Sequence, residues 1–425
     1  MRVLLLSWEY PPCLVGGLGR HVHSLSRHLA RRGIQVDVVT RGLPGAPPAE
    51  EPEAGLAVFR IAPAGEDSSP FPVQTALLNL HLLEQAVRLI QKRGSPPDLI
   101  HAHDWLVAFS ARLLKHAYRR PLIATIHATE KGRNSGIATE LQRYIHENEW
   151  QLTFESWRVI CCSRSMQREI REGLAVPPDK IDVIPNGVDP PPRVNPQAVQ
   201  AYRARYVAPE EKLILYVGRL VFEKGVQVLL DAFPAVLDAF PHCRLVIAGS
   251  GGFEGHLRWQ AEQKGLSSRV CFTGHLAEEE LDLLYRAADV AVFPSLYEPF
   301  GLVALEAMVR GTPVVASSVG GLGEIVQHEK NGITVYPGDP ASLCWGITRV
   351  LGDPELVRRL TRQAKATVRQ KYSWDRVAAQ TEEVYRLVLS QWQKDPWSSE
   401  AAASRELGLE DLLAHLGLER RGIWG

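Results

Sequence analysis

The feature that most constrains this chain is an alternation. Short, nearly unbroken runs of β-branched residues and leucine are separated by longer amphipathic stretches. In the first half the runs fall at 2–7, 36–40, 57–61, 99–102, 122–126, 159–162 and 181–184, and the helical stretches at 17–32, 75–92, 108–118, 136–153 and 165–172. A strand that is apolar on both sides must be covered on both faces, which is the condition of a parallel sheet. Strand–helix alternation builds such a sheet through right-handed crossovers. The segment Pro185-Asn-Gly-Val-Asp-Pro-Pro-Pro192 then breaks the pattern, because proline removes ladder donors and Asn-Gly favours positive φ. The alternation restarts with strands at 213–217, 244–248, 270–273, 290–293 and 313–316 and helices at 226–240, 255–264, 278–287 and 301–310. The prediction is two doubly wound α/β domains, 1–190 and 191–372. A helix over 373–394 and a charged tail over 395–425, helix-prone around 407–416, complete the chain.

The 425 residues suffice for two separate cores. Lysines and arginines number 48 and acids 48, a formal net charge of zero, so no general attraction to nucleic acid or anionic membranes is expected. The apolar runs are strand-length and none approaches the ~18 residues of a membrane span, so integral membrane insertion is not expected. The N-terminus opens directly on a strand, without the layout of a signal peptide. Cysteines at 13, 161, 162, 243, 271 and 344 match neither a disulfide framework nor a CxxC knuckle, which points to a reduced, cytoplasmic protein. Arg112, Lys115, His116, Arg119 and Arg120 crowd one helix; we read them as a solvated face rather than a lipid-docking surface.

Three constellations carry chemistry. Gly16-Gly17-Leu18-Gly19 follows the first strand and opens the first helix. Glycine-freed amides and a helix N-terminus suit an anion, and a tight strand-to-helix turn suits the same residues. The cluster is not GxGxxG, and Asp37 lies at the beginning of the second strand rather than at its end, where a ribose-binding acid belongs. Arg219 and Lys224, in Gly218-Arg219-Leu220 and Glu223-Lys224-Gly225, follow the first strand of the second domain. Two cations at a strand's carboxyl end suit a diphosphate, Arg by its fork and Lys as a point charge. Third, Glu298-Pro-Phe300-Gly301-Leu302-Val-Ala-Leu-Glu306 places one carboxylate before a helix start and a second inside an apolar helix. The second needs a hydroxyl or cationic partner.

Histidines end two strands of the first domain, in His101-Ala-His103-Asp104-Trp105 and Thr125-Ile-His127. His101 and His103 point the same way, with no third carboxylate or cysteine set nearby in sequence, so no metal site is expected. No Asp-x-Asp occurs, which argues against holding a diphosphate through a metal ion. The glycine-rich, basic segment 130–136 carries Lys131 and Arg133 and reads equally as a closing loop or as an ordinary mobile one.

Taken together, the EYPP…GGLG opening at 9–19, PNGVD at 185–189, GRL…EKG at 218–225, AGSG at 248–251 and the two-glutamate segment 298–306 resemble the retaining glycosyltransferases of family 4. The resemblance runs from the N-terminus to about Trp392. It implies the GT-B fold: two Rossmann-like domains with the active site in the cleft between them, and a final helix near Trp374 crossing back to the N-terminal domain. It implies that Gly16, Gly17, Gly249, Gly251, Phe300, Gly301, Leu302 and Glu306 bind the donor, with Glu306 on the ribose. His127, Arg219, Lys224 and Glu298 are implied to be catalytic, with His127 and Glu298 at the transferred sugar. His103, Asp104, Lys131 and Arg133 are candidates for the acceptor side.

Within that family, the segments Trp8–Pro12 and 101–105 resemble glycogen-synthase-like enzymes, although Leu14 stands where those carry a lysine. The expected activity is hexosyl transfer from a nucleotide sugar, ADP- or UDP-glucose, to an α-glucan, with no cofactor and no metal. The alternatives are another acceptor (a lipid, a cell-surface polysaccharide or a small sugar) and, from a different class, an NAD-dependent oxidoreductase.

Overall fold

The computed structural model describes residues 1–62 and 69–399; the segment 407–416 lies outside the described residues. The chain divides into two compact units, one of Met1–Ile184 with the residues from Val377 onward, the other of Pro185–Arg376.

In the first unit β1 (Arg2–Ser7), β2 (Gln35–Arg41), β3 (Ala49–Glu53), β4 (Leu56–Ile61), β5 (Leu99–His103), β6 (Leu122–Ile126), β7 (Arg158–Cys161) and β8 (Ile181–Val183) form one sheet. Its order is β3-β4-β2-β1-β5-β6-β7-β8. All neighbours are parallel except β3, which runs antiparallel to β4. Val3, Leu5 and Leu6 are fully buried on alternate faces of β1, as a centre strand covered by helices on both sides requires. The chain winds outward from β1 through β2 and β4, then returns to place β5 on the other side of β1. Open α/β sheets bind ligands beyond the strand ends at such a reversal.

β3 was not foreseen from sequence. Its residues, Ala-Glu-Glu-Pro-Glu, are poor strand formers. At a sheet edge, however, charge and proline deter pairing with another chain.

The second unit holds β9 (Lys212–Val217), β10 (Cys243–Ala248), β11 (Val270–Gly274), β12 (Val290–Phe293), β13 (Val314–Ser317) and β14 (Ile333–Val335), all parallel, in the order β11-β10-β9-β12-β13-β14. Helix Val226–Ala239 buries Leu229, Phe233 and Val236 against Ile214, Leu245 and Val292 of this sheet. The winding reverses between β9 and β12. Besides the short helix Leu322–Ile325, three helices beyond those expected occur here: Pro196–Arg203, Pro340–Gly352 and Pro354–Lys371. Each starts with proline at its first position behind an Asn195, Asp339 or Asp353 side chain that caps it.

Helix Trp374–Trp392 begins in the second unit and, from Val377, belongs to the first. There Arg32 pairs with Glu382 at 2.7 Å, Tyr385 meets His101 at 2.6 Å and the Trp392 indole donates to the Arg119 carbonyl at 3.2 Å.

Candidate active site

In the second unit, backbone hydrogen bonds join the loops that follow β9, β12 and β13. The amides of Leu296 and Tyr297 donate to the Glu223 carbonyl at 2.8 and 3.2 Å, and the Gly321 amide donates to the Glu298 carbonyl at 2.9 Å. These links bring Lys224 against Glu298, with Nζ and Oε2 2.7 Å apart. The side chains are 17% and 10% exposed, so the pair is largely desolvated at the reversal between β9 and β12. Ser295 Oγ lies 3.5 Å from the same carboxylate oxygen. Arg219 keeps more freedom: it is 41% exposed and 3.7 Å from Glu223.

Two helices open onto these loops, Val226–Ala239 behind Gly225 and Leu302–Arg310 behind Gly301. Neither has a side-chain cap or an acid in its first turn. Their first amides and positive dipole ends suit phosphate oxygens.

Glu306 finds a partner, accepting from the Tyr285 hydroxyl at 3.1 Å, which sequence reading did not identify. Phe300 is 6% exposed and packs edge-on against Tyr372, so its side chain belongs to the core. Gly249 sits at φ 138°, and a Cβ there would lie 1.9 Å from the Gly218 carbonyl; one at Gly251 would lie 2.3 Å from that of Leu220. These two glycines therefore let the loop after β10 press directly on the loop after β9.

In the first unit the reversal lies between β1 and β5. Glu9 Oε2 accepts from the amides of Val15 and Gly16, both at 2.9 Å, and so shapes the glycine loop. Helix Gly17–Arg31 starts behind Gly16 with no side-chain cap and no acid in its first turn, and no atom approaches within 4 Å of a Cβ at Gly16. Space for a ligand thus lies beside an uncapped helix start.

Beside this loop stand His103, Asp104 and His127. Asp104 adopts φ 61°, ψ 170°, a conformation a non-glycine side chain takes at a cost. That turn lets Oδ1 accept the His127 amide at 2.7 Å while its own amide donates to the Thr125 carbonyl at 2.9 Å. Burial pushes the Asp104 carboxyl up to about 7, against the lowering effects of the His127 amide and Arg133. His103 Nδ1 and His127 Nε2 are 3.1 Å apart. Burial, then the neighbouring imidazoles, holds both rings well below the usual histidine range, so both are neutral.

A third histidine, which the sequence did not pair with His103, joins the group. His21, one turn into helix Gly17–Arg31, brings a nitrogen into the group, and one nitrogen from each of His21, His103 and His127 lies within 4.8 Å of the others. His101 takes no part, because its two nitrogens meet Tyr385 at 2.6 Å and Thr125 at 2.7 Å.

The segment 130–136 is not irregular throughout. Glu130–Arg133 is a short helix capped by Thr129, and the Glu130 amide donates to Glu149 at 2.8 Å. Arg133 acts electrostatically on Asp104, whereas the Lys131 stem lies 3.6 Å from the Cβ position of Gly173, along helix Arg164–Gly173. Asp37 forms an ion pair with Arg93 at 2.8 Å. The basic helix is not simply solvated: Lys115 pairs with Glu155 at 2.6 Å, His116 meets the same carboxylate, Arg112 bonds Gln151, and the Arg120 guanidinium lies 5.1 Å from the Trp392 ring.

The chain is similar to known proteins over most of its length. Residues 15–191 match the family model for Glycosyltransferase Family 4, and residues 199–367 that for Glycosyl transferases group 1. A glycosyltransferase of Methanocaldococcus jannaschii is 40% identical over 393 residues, 92% of this chain and 99% of its own. The glycogen synthase of Mycobacterium tuberculosis is 40% identical over 397 residues, 91% of this chain and 94% of its own. Among solved structures, sucrose-phosphate synthase from Thermosynechococcus elongatus superposes with a TM-score of 0.80 at 27% identity, covering 92% of this chain and 99% of that one. Among the described residues no helix is long and apolar enough to cross a membrane. With two Rossmann-like units of the GT-B type and relatives matched over nearly their whole length, the chain belongs to the family 4 glycosyltransferases.

Proposed function

We propose that this enzyme is a retaining, metal-independent hexosyltransferase that takes glucose from ADP- or UDP-glucose and extends an α-1,4-glucan. The observation that carries the reading is the Lys224–Glu298 pair at the β9–β12 reversal, beside Arg219 and two helix starts without caps. A diphosphate leaving group gains charge as its bond to the sugar breaks. Two cations and helix amides already in place stabilise that charge without reorganising. Their presence, in a chain with no Asp-x-Asp, supports transfer that needs no metal ion.

In the proposed reaction the acceptor hydroxyl oxygen attacks the anomeric carbon on the face from which the diphosphate departs. The carbon–oxygen bond to the diphosphate breaks, and the acceptor proton passes to the leaving phosphate oxygen. Glu298, held by Lys224, takes sugar hydroxyls, and Glu306 takes the ribose with Tyr285 at its back. Gly17 presents its amide to the donor beside Gly16, whose own amide is held by Glu9, and Gly249, Gly251, Gly301 and Leu302 supply backbone around it. His127, held by Asp104 and His103, contacts the transferred sugar, and Arg133 completes the acceptor side.

The glucan acceptor rests on the 40% identity to a glycogen synthase and on the resemblance of the Trp8–Pro12 and 101–105 segments to such enzymes. Leu14 is 45% exposed and brings no charge to the glycine loop, which leaves another sugar acceptor as the second reading. The Asp37–Arg93 pair removes the acid that a dinucleotide site needs and disfavours the oxidoreductase. All six cysteines are free thiols, which fits a reducing compartment, and we place the enzyme in the cytoplasm.

The test is to incubate the enzyme with labelled ADP-glucose or UDP-glucose and a maltooligosaccharide, then digest the product with an α-1,4-specific glucanase. Label released by the glucanase supports the reading. Consumption of a different nucleotide sugar, with neither glucose donor labelling a glucan, overturns the substrate assignment.

A further inference from the structure

We propose that His21, His103 and His127 form a binding site for a single borderline transition-metal cation of the Zn²⁺ class, and that an ion bound there blocks sugar transfer by taking hold of His127. The first half of the proposal rests on geometry alone. The second rests on the functional reading of His127.

The three imidazoles come from separate elements: helix Gly17–Arg31, the end of β5, and the residue after β6. The two strand ends are fixed by the sheet ladder, and the His127 backbone is fixed further by Asp104. His21 is 3% exposed and His103 fully buried. His103 Nε2 has no hydrogen-bond partner although it is enclosed, a state that costs free energy.

The spacing is close to what an ion requires. Zinc–nitrogen bonds of about 2.0–2.1 Å in a tetrahedron place ligand nitrogens roughly 3.4 Å apart. The ligand nitrogens of the trio lie within 4.8 Å of one another, and the His103 and His127 rings approach to 3.1 Å between Nδ1 and Nε2. Closure therefore needs roughly 1.4 Å at most, within reach of ring rotation. Both nitrogens of His101 are engaged, and its ring packs 4.3 Å, centroid to centroid, from that of His103. His101 thus braces the trio without joining it, as an outer support does for a ligand ring.

Three imidazoles leave one position of a tetrahedron for water. A purely nitrogen donor set prefers Zn²⁺, Cu²⁺, Ni²⁺ or Co²⁺ and gives no advantage to Mg²⁺, Mn²⁺ or Ca²⁺, which favour oxygen. An inhibitory site of this kind is compatible with transfer that needs no metal: the reaction runs with the site empty, and an ion bound there withdraws His127 from the sugar.

The experiment uses the full chain, stripped of metal, in a Cys271→Ser background to remove the exposed thiol. Zn²⁺ alone is titrated by calorimetry, and Co²⁺ alone by visible absorption. The expected result is one equivalent of tightly bound Zn²⁺ and a Co²⁺ spectrum of tetrahedral type. Both should weaken about 100-fold or more in His21→Asn and stay unchanged in His328→Asn, which alters an exposed histidine of the other unit. A thermal melt confirms that His21→Asn is folded, and His21→Gln serves as the second variant.

Zn²⁺ should inhibit transfer by the parent and not by His21→Asn, while Mg²⁺ leaves both untouched. Absence of stoichiometric Zn²⁺ binding, or equal binding by folded His21→Asn, overturns the site. Stoichiometric binding without inhibition keeps the site and instead overturns the role of His127 in transfer.

Discussion

Removing the Lys224 cation separates its two effects, on folding and on chemistry. Unit charges 2.7 Å apart attract by about 6 kcal/mol at an effective dielectric of ~20, and desolvation of both ions offsets much of this. Truncating one partner of a buried pair typically costs about 3–5 kcal/mol, because the other charge is left alone. With both side chains slightly wetted, Lys224→Met should fall at the low end, about 3 kcal/mol, or roughly 6–12 °C in the midpoint of a unit this size. The double variant Lys224→Met/Glu298→Gln removes both charges and should recover most of that loss. Turnover should behave differently. If Lys224 stabilises charge on the leaving diphosphate, the single variant loses about 100-fold, and the double variant recovers none of it. Thermal melts beside donor consumption measure both quantities. A destabilised single variant with near-normal turnover, or a double variant that regains activity with stability, would refute the phosphate role.

Three further outcomes follow from the same geometry. Arg219→Ala should lose about 100-fold in turnover with little change in melting, because Arg219 is 41% exposed and only 3.7 Å from Glu223; a melting loss as large as that of Lys224→Met would contradict this. Burial raises the carboxyls of Asp104 and Glu149 from ordinary values of 3.8 and 4.5 to about 7 and about 8. The folded state therefore holds protons that the unfolded chain has released, and these two groups lower stability as pH rises from about 4 through 8. Melting curves between pH 6 and 9 should flatten in Glu149→Gln, and an unchanged slope counts against it. Activity should survive EDTA; complete loss restored by manganese or magnesium would show that a metal ion carries the diphosphate.

The sequence exposed the strands and the reversal points because buried parallel strands are nearly pure apolar runs, as in Val3–Leu6 and Val290–Phe293. What it hid follows physical causes. β3 is charged because it is an edge, and β14 is only three residues long. The helices behind Asn195, Asp339 and Asp353 carried a readable signal, an Asx side chain before proline, that periodicity alone passed over. In the candidate site, Arg219, Lys224, Glu298 and Glu306 could be singled out because charge beside a glycine turn at a strand end has few purely structural uses, and the structure pairs Lys224 with Glu298. Glu9, His21 and Tyr285 were not, since their roles depend on contacts across elements. Phe300 sits inside the right motif, but its side chain serves packing.

The most direct test of the central claim follows the bond itself. Glucose labelled at its anomeric carbon is supplied as UDP-glucose and ADP-glucose, with maltoheptaose as acceptor and EDTA present, and the product is read by NMR. Our account predicts that one donor yields nucleoside diphosphate and an elongated glucan in equal amounts, with the label in an α-1,4 linkage, and that Lys224→Met forms about 100-fold less of both. A β-anomeric product, or transfer that begins only when a divalent metal is added, would contradict it.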